Sequence, residues 1–283
     1  MSDGDFVETY WHFTDNSNKN TPIVVLFHGL TGSYKSPYIQ GMMRELAQNG
    51  FHSVLMHFRG CGERENLLPR SYHSGETGDA LAFIQSLHLE FSYAKLYAIG
   101  YSLGANMLLK LLGEQKELSL LSKAVAISPP MQLDICASTM NRGFSRYYQH
   151  RLLKDLKNAL DKKYVKHDMQ KLLNYKRSDI NKLNSFWKYD DVYTAPVHGF
   201  ASAAEYYEKC SSKQYLKDIQ TPTLIIHSED DPFMTPEVIP TKEELSLSVK
   251  LHITQKGGHV GFVQGSFFKP KYWLQKRVIE FFS

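Results

Sequence analysis

Cysteine is scarce in this chain: Cys61, Cys136 and Cys210 are the three present, far apart and without a C-x-x-C spacing. That pattern excludes a disulfide framework and a zinc ribbon, and fits a reducing compartment. Long apolar runs are also missing, since stretches such as residues 23–27 and 107–112 are too short to cross a bilayer. The opening residues are polar and acidic, with no basic cluster or apolar stretch to mark a secretory signal. A soluble, cytoplasmic protein without stable membrane insertion is expected. Neither charge sign dominates: 33 basic and 29 acidic residues, interspersed over 283 positions, leave a net charge of +4. So small and scattered an excess excludes a nucleic-acid footprint. No H-E-x-x-H or comparable cluster calls for a metal, and nothing calls for an organic cofactor.

What is present is the composition of an ordinary globular protein, 42% apolar and 22% charged. This length suits one α/β core carrying an insertion. Apolar runs of strand length stand at residues 23–27, 53–56, 96–99, 124–127, 223–226 and 251–253. Between most of them lie stretches of helical periodicity, at 37–48, 75–87, 105–115 and 271–282. Residues 6–13, aromatic and β-branched, read as an edge strand. The alternation predicts a mainly parallel sheet with helices on both faces. It breaks between residues 131 and 212, where Lys, Asp, Asn and Tyr dominate. A helical cap is expected there, inserted into a core made of residues 1–130 and 213–283. Within the cap, 147–164 and 168–175 read as exposed amphipathic helices and 186–200 as an irregular connection.

Four segments carry chemistry. Gly100-Tyr101-Ser102-Leu103-Gly104 lies between a predicted strand and a predicted helix, the context of a nucleophile elbow. A turn that tight admits only small residues beside the nucleophile, and the new helix aims free N–H groups at it. The Leu103 amide is therefore one candidate donor to a developing oxyanion. His28-Gly29-Leu30-Thr31-Gly32 follows the first buried strand, and its glycine lets the chain turn beside the elbow. The second oxyanion donor is assigned to the Leu30 amide, with that of Gly29 as the fallback. His28 reads as a histidine that fixes this loop. Late in the chain, Asp230 and Asp231 follow the strand at 223–226, and Gly257-Gly258-His259 follows the strand at 251–253. The order Ser, Asp, His, each beyond a strand end, is that of an α/β hydrolase. Spacing and Pro232 favour Asp231 over Asp230 as the acid, and the glycines suggest a flexible loop with which His259 reaches Ser102.

At this level of detail the chain resembles a known family, the YheT-like or EMB8-like α/β hydrolases (AB-hydrolase-4). The resemblance spans nearly the whole sequence. It rests on Asp3-Gly4-Asp5-Phe6, His28 to Gly32, Phe58-Arg59-Gly60-Cys61, Tyr72-His73-Ser74-Gly75-Glu76-Thr77, Gly100 to Asn106, Pro196-Val197-His198-Gly199-Phe200, Glu205-Tyr206-Tyr207 and Asp230-Asp231-Pro232-Phe233. The resemblance implies Ser102, Asp231 and His259 as the charge relay, and an acyl ester with an apolar chain as substrate. Two departures stand out: Ala105 replaces a frequent second glycine, and the chain starts at the family's Asp-Gly-Asp-Phe strand, without the extension common in relatives. Arg59, Cys61, His73 and Glu76 fall in family motifs and read as structural.

The expected activity is hydrolysis of a small-molecule carboxylic ester through an acyl-enzyme on Ser102. An acyltransferase, a thioesterase or a peptidase would keep the same triad, and a binding protein on this fold would usually have lost a member of it. Aromatic residues of the insertion, Phe144, Tyr147, Tyr148, Phe186, Trp187 and Phe200, are candidates to line an acyl pocket or to pack the cap.

Overall fold

The computed structural model describes residues 1–15, 17–266 and 269–283. Seven strands form one sheet: β1 (Thr9–His12), β2 (Ile23–Phe27), β3 (His52–Met56), β4 (Leu96–Tyr101), β5 (Leu121–Ile127), β6 (Thr223–Ser228) and β7 (Val249–Thr254), in the spatial order β1-β3-β2-β4-β5-β6-β7. β1 pairs antiparallel with β3 at one edge and the remaining pairings are parallel. Parallel neighbours need crossovers, and the helices α1 (Pro37–Gln48), α2 (Gly78–Glu90), α3 (Leu103–Gln115) and, at the end of the chain, α10 (Trp273–Phe282) supply the two covering layers.

The strands bury both faces, so their side chains divide by parity. Ile23, Val25 and Phe27 of β2 join the apolar cluster shared with α2 and α3, whereas Val24 and Leu26 join the one shared with α1 and α10. Ala98 and Ala126 are the small residues of the first face, opposite the helix that starts at the elbow. Losing a large side chain from either cluster is expected to cost about 2–5 kcal/mol.

No strand interrupts the described residues between β5 and β6. This stretch holds α4 (Leu133–Met140), α5 (Ser145–Lys166), α6 (Met169–Leu173), α7 (Phe186–Tyr189), α8 (Ala195–Val197) and α9 (Ala203–Cys210). It has an apolar cluster of its own, including Leu153, Leu160, Met169, Ile180 and Leu183. α5 is therefore less exposed than its charged sequence suggests, because it lays one stripe into that cluster. Residues 186–200 are not an irregular connection: α7 continues through a π-helical turn at Asp190–Thr194 into α8. Pro196 follows directly on the π-helical turn, whose last bond runs from the Ala195 N–H to the Asp190 carbonyl, so the missing proline N–H falls where the regular α ladder is already broken. The stretch begins and ends at one place, where the Lys213 N–H donates to the Met131 carbonyl at 3.1 Å.

At the far end, α10 starts two residues later than the periodicity suggests. The preceding residues form β9 (Lys269–Tyr272), which pairs antiparallel with β8 (Val263–Ser266) as a small separate ribbon.

Candidate active site

Ser102 is where β4 turns into α3. Its backbone has φ +50°, a conformation unfavourable for a residue with a Cβ. The glycines on either side are required by contact. A Cβ at Gly100 would lie 2.5 Å from the Gly104 carbonyl oxygen, and one at Gly104 would lie 2.6 Å from the carbonyl oxygens of Phe27 and His28. The strand-to-helix reversal thus presses α3 against the end of β2, and Ser102 projects from the apex. Ala105 is fully buried, so the extra methyl group at that position is accommodated.

His259 stands beyond β7 and Asp231 beyond β6, next to β7 in the sheet. The His259 Nε2 lies 2.7 Å from the Ser102 Oγ, and its Nδ1 lies 2.8 Å from the Asp231 Oδ2. Asp231 is buried, and its other carboxylate oxygen accepts the Phe233 N–H at 2.9 Å, which fixes the direction of the group. The Phe233 ring rests on the imidazole with centroids 4.3 Å apart. The three residues that the sequence brings forward as a relay are thus in hydrogen-bond sequence. Asp230 points the other way. Its Oδ1 accepts the N–H groups of Gly257 and Gly258 at 2.9 and 2.8 Å, together with the Ser228 hydroxyl. The loop bearing His259 is consequently pinned, not flexible. Gly257 has no room for a Cβ, which would meet the Phe262 ring at 2.5 Å, and Gly258 has φ +59°.

The loop after β2 is held by groups that converge on its backbone. His28 is fully buried; its Nε2 accepts the Phe58 N–H at 3.1 Å and its Nδ1 donates to the Gly29 carbonyl at 2.7 Å, as a neutral ring. Burial drives its pKa down to about 3. The Tyr38 hydroxyl takes the Gly29 N–H at 3.0 Å, and the Tyr72 hydroxyl takes the Thr31 N–H at 2.9 Å. That engagement removes Gly29 as an oxyanion donor. The N–H groups of Leu30 and Leu103 have no partner among the described residues, and both residues line the cavity that contains Ser102. Tyr38 was not singled out from the sequence, since nothing in a helix-opening Pro-Tyr distinguishes it.

That cavity has a volume of about 240 Å³. Leu133, Cys136, Met140, Leu156 and Met234 supply apolar wall, and Asp190, Thr194, Tyr206 and Tyr207 add polar groups. Of the six aromatics that the sequence offers as pocket candidates, Phe186 lines it. Phe144 and Tyr147 are exposed, and Trp187 packs edge-on to Tyr207 while its Nε1 donates to the Ser138 hydroxyl at 3.1 Å.

The motif residues outside the relay are mostly fasteners. Arg59, buried, pairs with Asp79 at 2.6 Å, Asp3 at 2.7 Å and Asp5 at 3.2 Å. The Asp-Gly-Asp-Phe motif therefore tethers the first residues to the loop after β3 and to α2. The Cys61 thiol is pushed up to about 12 by burial, and so is inert. The Tyr206 hydroxyl accepts the Ser74 N–H at 3.0 Å, and Asn106 of α3 donates to the Ser74 and Cys210 carbonyls at 2.8 Å. His73, Glu76 and His198 place three donor atoms within 4.8 Å of one another, the single such group of possible metal ligands among the described residues. The donor set is compromised: Arg70 already occupies the Glu76 carboxylate at 3.2 Å, and the His73 Nδ1 accepts the Gly75 N–H at 3.1 Å, which leaves the ring proton on the nitrogen that faces the others.

A mainly parallel sheet with a serine elbow, an acid and a histidine beyond successive strand ends defines the α/β-hydrolase class. The model of the alpha/beta hydrolase fold matches residues 22–266, and the chain is 41% identical over 278 residues to YheT of Escherichia coli, covering 98% of this chain and 81% of that one. The chain belongs to the α/β-hydrolase family, in the branch that YheT represents. It is also 30% identical to the embryogenesis-associated protein EMB8 of Picea glauca, and 28% identical to a monoacylglycerol lipase of Saccharomyces cerevisiae. It covers 99% and 87% of itself in those matches but 64% and 56% of those relatives. Among solved structures, the Pyrococcus furiosus esterase Pf2001 superposes with a TM-score of 0.61 at 16% identity, over 98% of this chain and 90% of that one. Est1E of Butyrivibrio proteoclasticus gives 0.61 at 12%, over 98% and 93%. These two likenesses speak to the fold. No helix among the described residues is long and apolar enough to cross a membrane.

Proposed function

We propose that this chain is a carboxylic ester hydrolase that works through an acyl-enzyme on Ser102, with residues 131–212 acting as the cap over its acyl pocket. The observation that carries the reading is the hydrogen-bonded sequence Ser102, His259, Asp231, with Ser102 and His259 lining a largely apolar cavity. The Ser102 Oγ attacks the acyl carbonyl while the His259 Nε2 takes its proton. Asp231 holds the Nδ1–H and stabilises the imidazolium. The carbonyl oxygen, now anionic, meets the N–H groups of Leu30 and Leu103. His259 then returns the proton to the departing alcohol, leaving the acyl group on Ser102. A water activated in the same way releases the acid. Relatives named as a monoacylglycerol lipase and as a phospholipase support an ester with an apolar acyl chain.

Transfer of the acyl group to an alcohol is a second reading, since a Saccharomyces cerevisiae relative, 29% identical, bears the name medium-chain fatty acid ethyl ester synthase/esterase. One experiment addresses both. Esters graded from acetyl to long chain are hydrolysed with and without added ethanol, and Ser102→Ala is the control. Turnover should fall by several orders of magnitude in Ser102→Ala with the melting temperature retained. Undiminished hydrolysis by that variant would sink the nucleophile assignment, and ester formation outrunning hydrolysis would favour transfer.

A further inference from the structure

Asp190 is an ionisable group that the proposed chemistry does not use. It lines the same cavity as Ser102, Leu30 and His259. It opens the π-helical turn at Asp190–Thr194, a local widening of a helix often found at functional sites. The turn puts the Thr194 hydroxyl against one carboxylate oxygen at 2.6 Å, while the Tyr207 hydroxyl of α9 donates to the other at 2.6 Å. These are neutral donors. No Lys, Arg or His pairs with Asp190 among the described residues, and burial raises its pKa to about 6. A carboxyl group set in a cavity wall without a cation costs stability, and such groups concentrate where a ligand completes them. Each oxygen keeps acceptor capacity after its one bond to a hydroxyl. Much of the rest of the wall is aliphatic or aromatic, Ser71, His73 and Ser74 being its other small polar residues, and the hydroxyls of Tyr206 and Tyr207 are already committed. A neutral hydroxyl group enters such a cavity at a smaller desolvation cost than an ammonium does.

We propose that Asp190 receives a hydroxyl group carried by the bound ester, and so selects hydroxyl-bearing esters over plain alkyl esters. The inference rests on the reading of Ser102 as nucleophile. The hydroxyl belongs either to the alcohol half, as in a glyceryl ester, or to the acyl chain. Two polar tethers, Thr194 from the π-helical turn and Tyr207 from α9, hold the carboxyl group, and a site built to pair a substrate hydroxyl discriminates against the analogue lacking it because its polar group is left unpaired.

Three probes decide it: ethyl decanoate, glyceryl monodecanoate and the ethyl ester of a hydroxydecanoic acid. The quantity read is the ratio of kcat/KM for each hydroxyl ester to that for ethyl decanoate. In the wild type one ratio should exceed unity by about 10- to 100-fold, as expected for a hydrogen bond to a charged acceptor. Whichever ester wins assigns the hydroxyl to the alcohol or the acyl half. Asp190→Leu and Asp190→Ala, which leave no acceptor, should bring that ratio towards unity. Wild-type ratios near unity for both hydroxyl esters overturn the proposal without any variant having to fold, and so does a high ratio that survives in Asp190→Leu. Hydrolysis of ethyl decanoate by Ser102→Ala is read separately, so that failure of the nucleophile reading is distinguishable from failure of this one.

Discussion

At the scale of single residues, adjacent acids divide two tasks. Asp231 faces the imidazole and Asp230 holds the two backbone amides that precede it. Asp231→Asn is expected to lower kcat by up to about 10⁴-fold, because the ring loses the acceptor that sets its tautomer. For Asp230 the replacement matters: Asn keeps an oxygen that can accept from Gly257 and Gly258, whereas Ala does not. Asp230→Asn should stay within about tenfold of wild type and Asp230→Ala should fall well below it, in steady-state assays on one ester. Equal losses in the two Asp230 variants would contradict the anchoring role. His28 offers a test by pH. Its folded pKa, about 3 through burial, lies below the unfolded value of 6.5, so the unfolded chain binds the proton more readily. The stability it supplies is present above the unfolded pKa and is lost as pH falls towards the folded one, at up to about 1.4 kcal/mol per unit. His73 and His198 are shifted the same way by burial. Urea midpoints measured at pH 7 and 5 should therefore drop in the wild type, and drop less in His28→Gln. The candidate relay residues are legible because glycines and strand ends surround them. Asp190 is not, since an Asp-Asp pair in a Lys- and Tyr-rich stretch looks like a solvated loop until the fold sets it in the cavity wall.

Among elements, the buried strands were the most readable, because a run of β-branched and aliphatic residues without a polar face has few other destinations. β2, β4, β5 and β6 fall where the apolar runs lie, with ends moved by a few residues. Helix starts were less clear: α2 begins later than its pattern, after a loop whose backbone is spoken for by Tyr206 and Glu76. The β8 and β9 ribbon was missed altogether, as its short strands carry no alternating pattern. The stretch at 186–200 reads differently from its fold because Pro196 and Gly199 are usual punctuation, yet here the proline sits just past a π-helical turn inside a helical run. Its first two aromatics, Phe186 and Trp187, separate in role. Phe186 faces the cavity, so Phe186→Ala should shift the preferred acyl length in a chain-length series. Trp187 packs on Tyr207 and bonds Ser138, so Trp187→Ala should lower the melting temperature with little change in that preference. A selectivity change confined to Trp187→Ala would reverse the assignment.

For the molecule as a whole, long-range ties matter that no local pattern announces. Arg59 gathers Asp3 and Asp5 from the start of the chain and Asp79 from α2. Lys163, on α5, donates to Asn66 and Leu68 in the loop after β3 at 2.6 Å, and Asn66 in turn bonds Asp5 at 2.7 Å. Arg59→Met leaves buried carboxylates without their cation and is expected to cost about 3–5 kcal/mol, read as a fall in the denaturation midpoint. An unchanged midpoint would mean those acids find other partners. The join between Met131 and Lys213 has a different consequence. A segment whose entry and exit are hydrogen-bonded neighbours can be traded as a cassette, because its ends meet the core at two adjacent points, provided that its ties to the core through Lys163 and Tyr206 are matched in the replacement. Grafting the matching stretch of a relative between those anchors should hand over that relative's taste in acyl chains while the donor's turnover chemistry stays behind. Such a fold can acquire new diets by recombination, without mutating a residue that reacts.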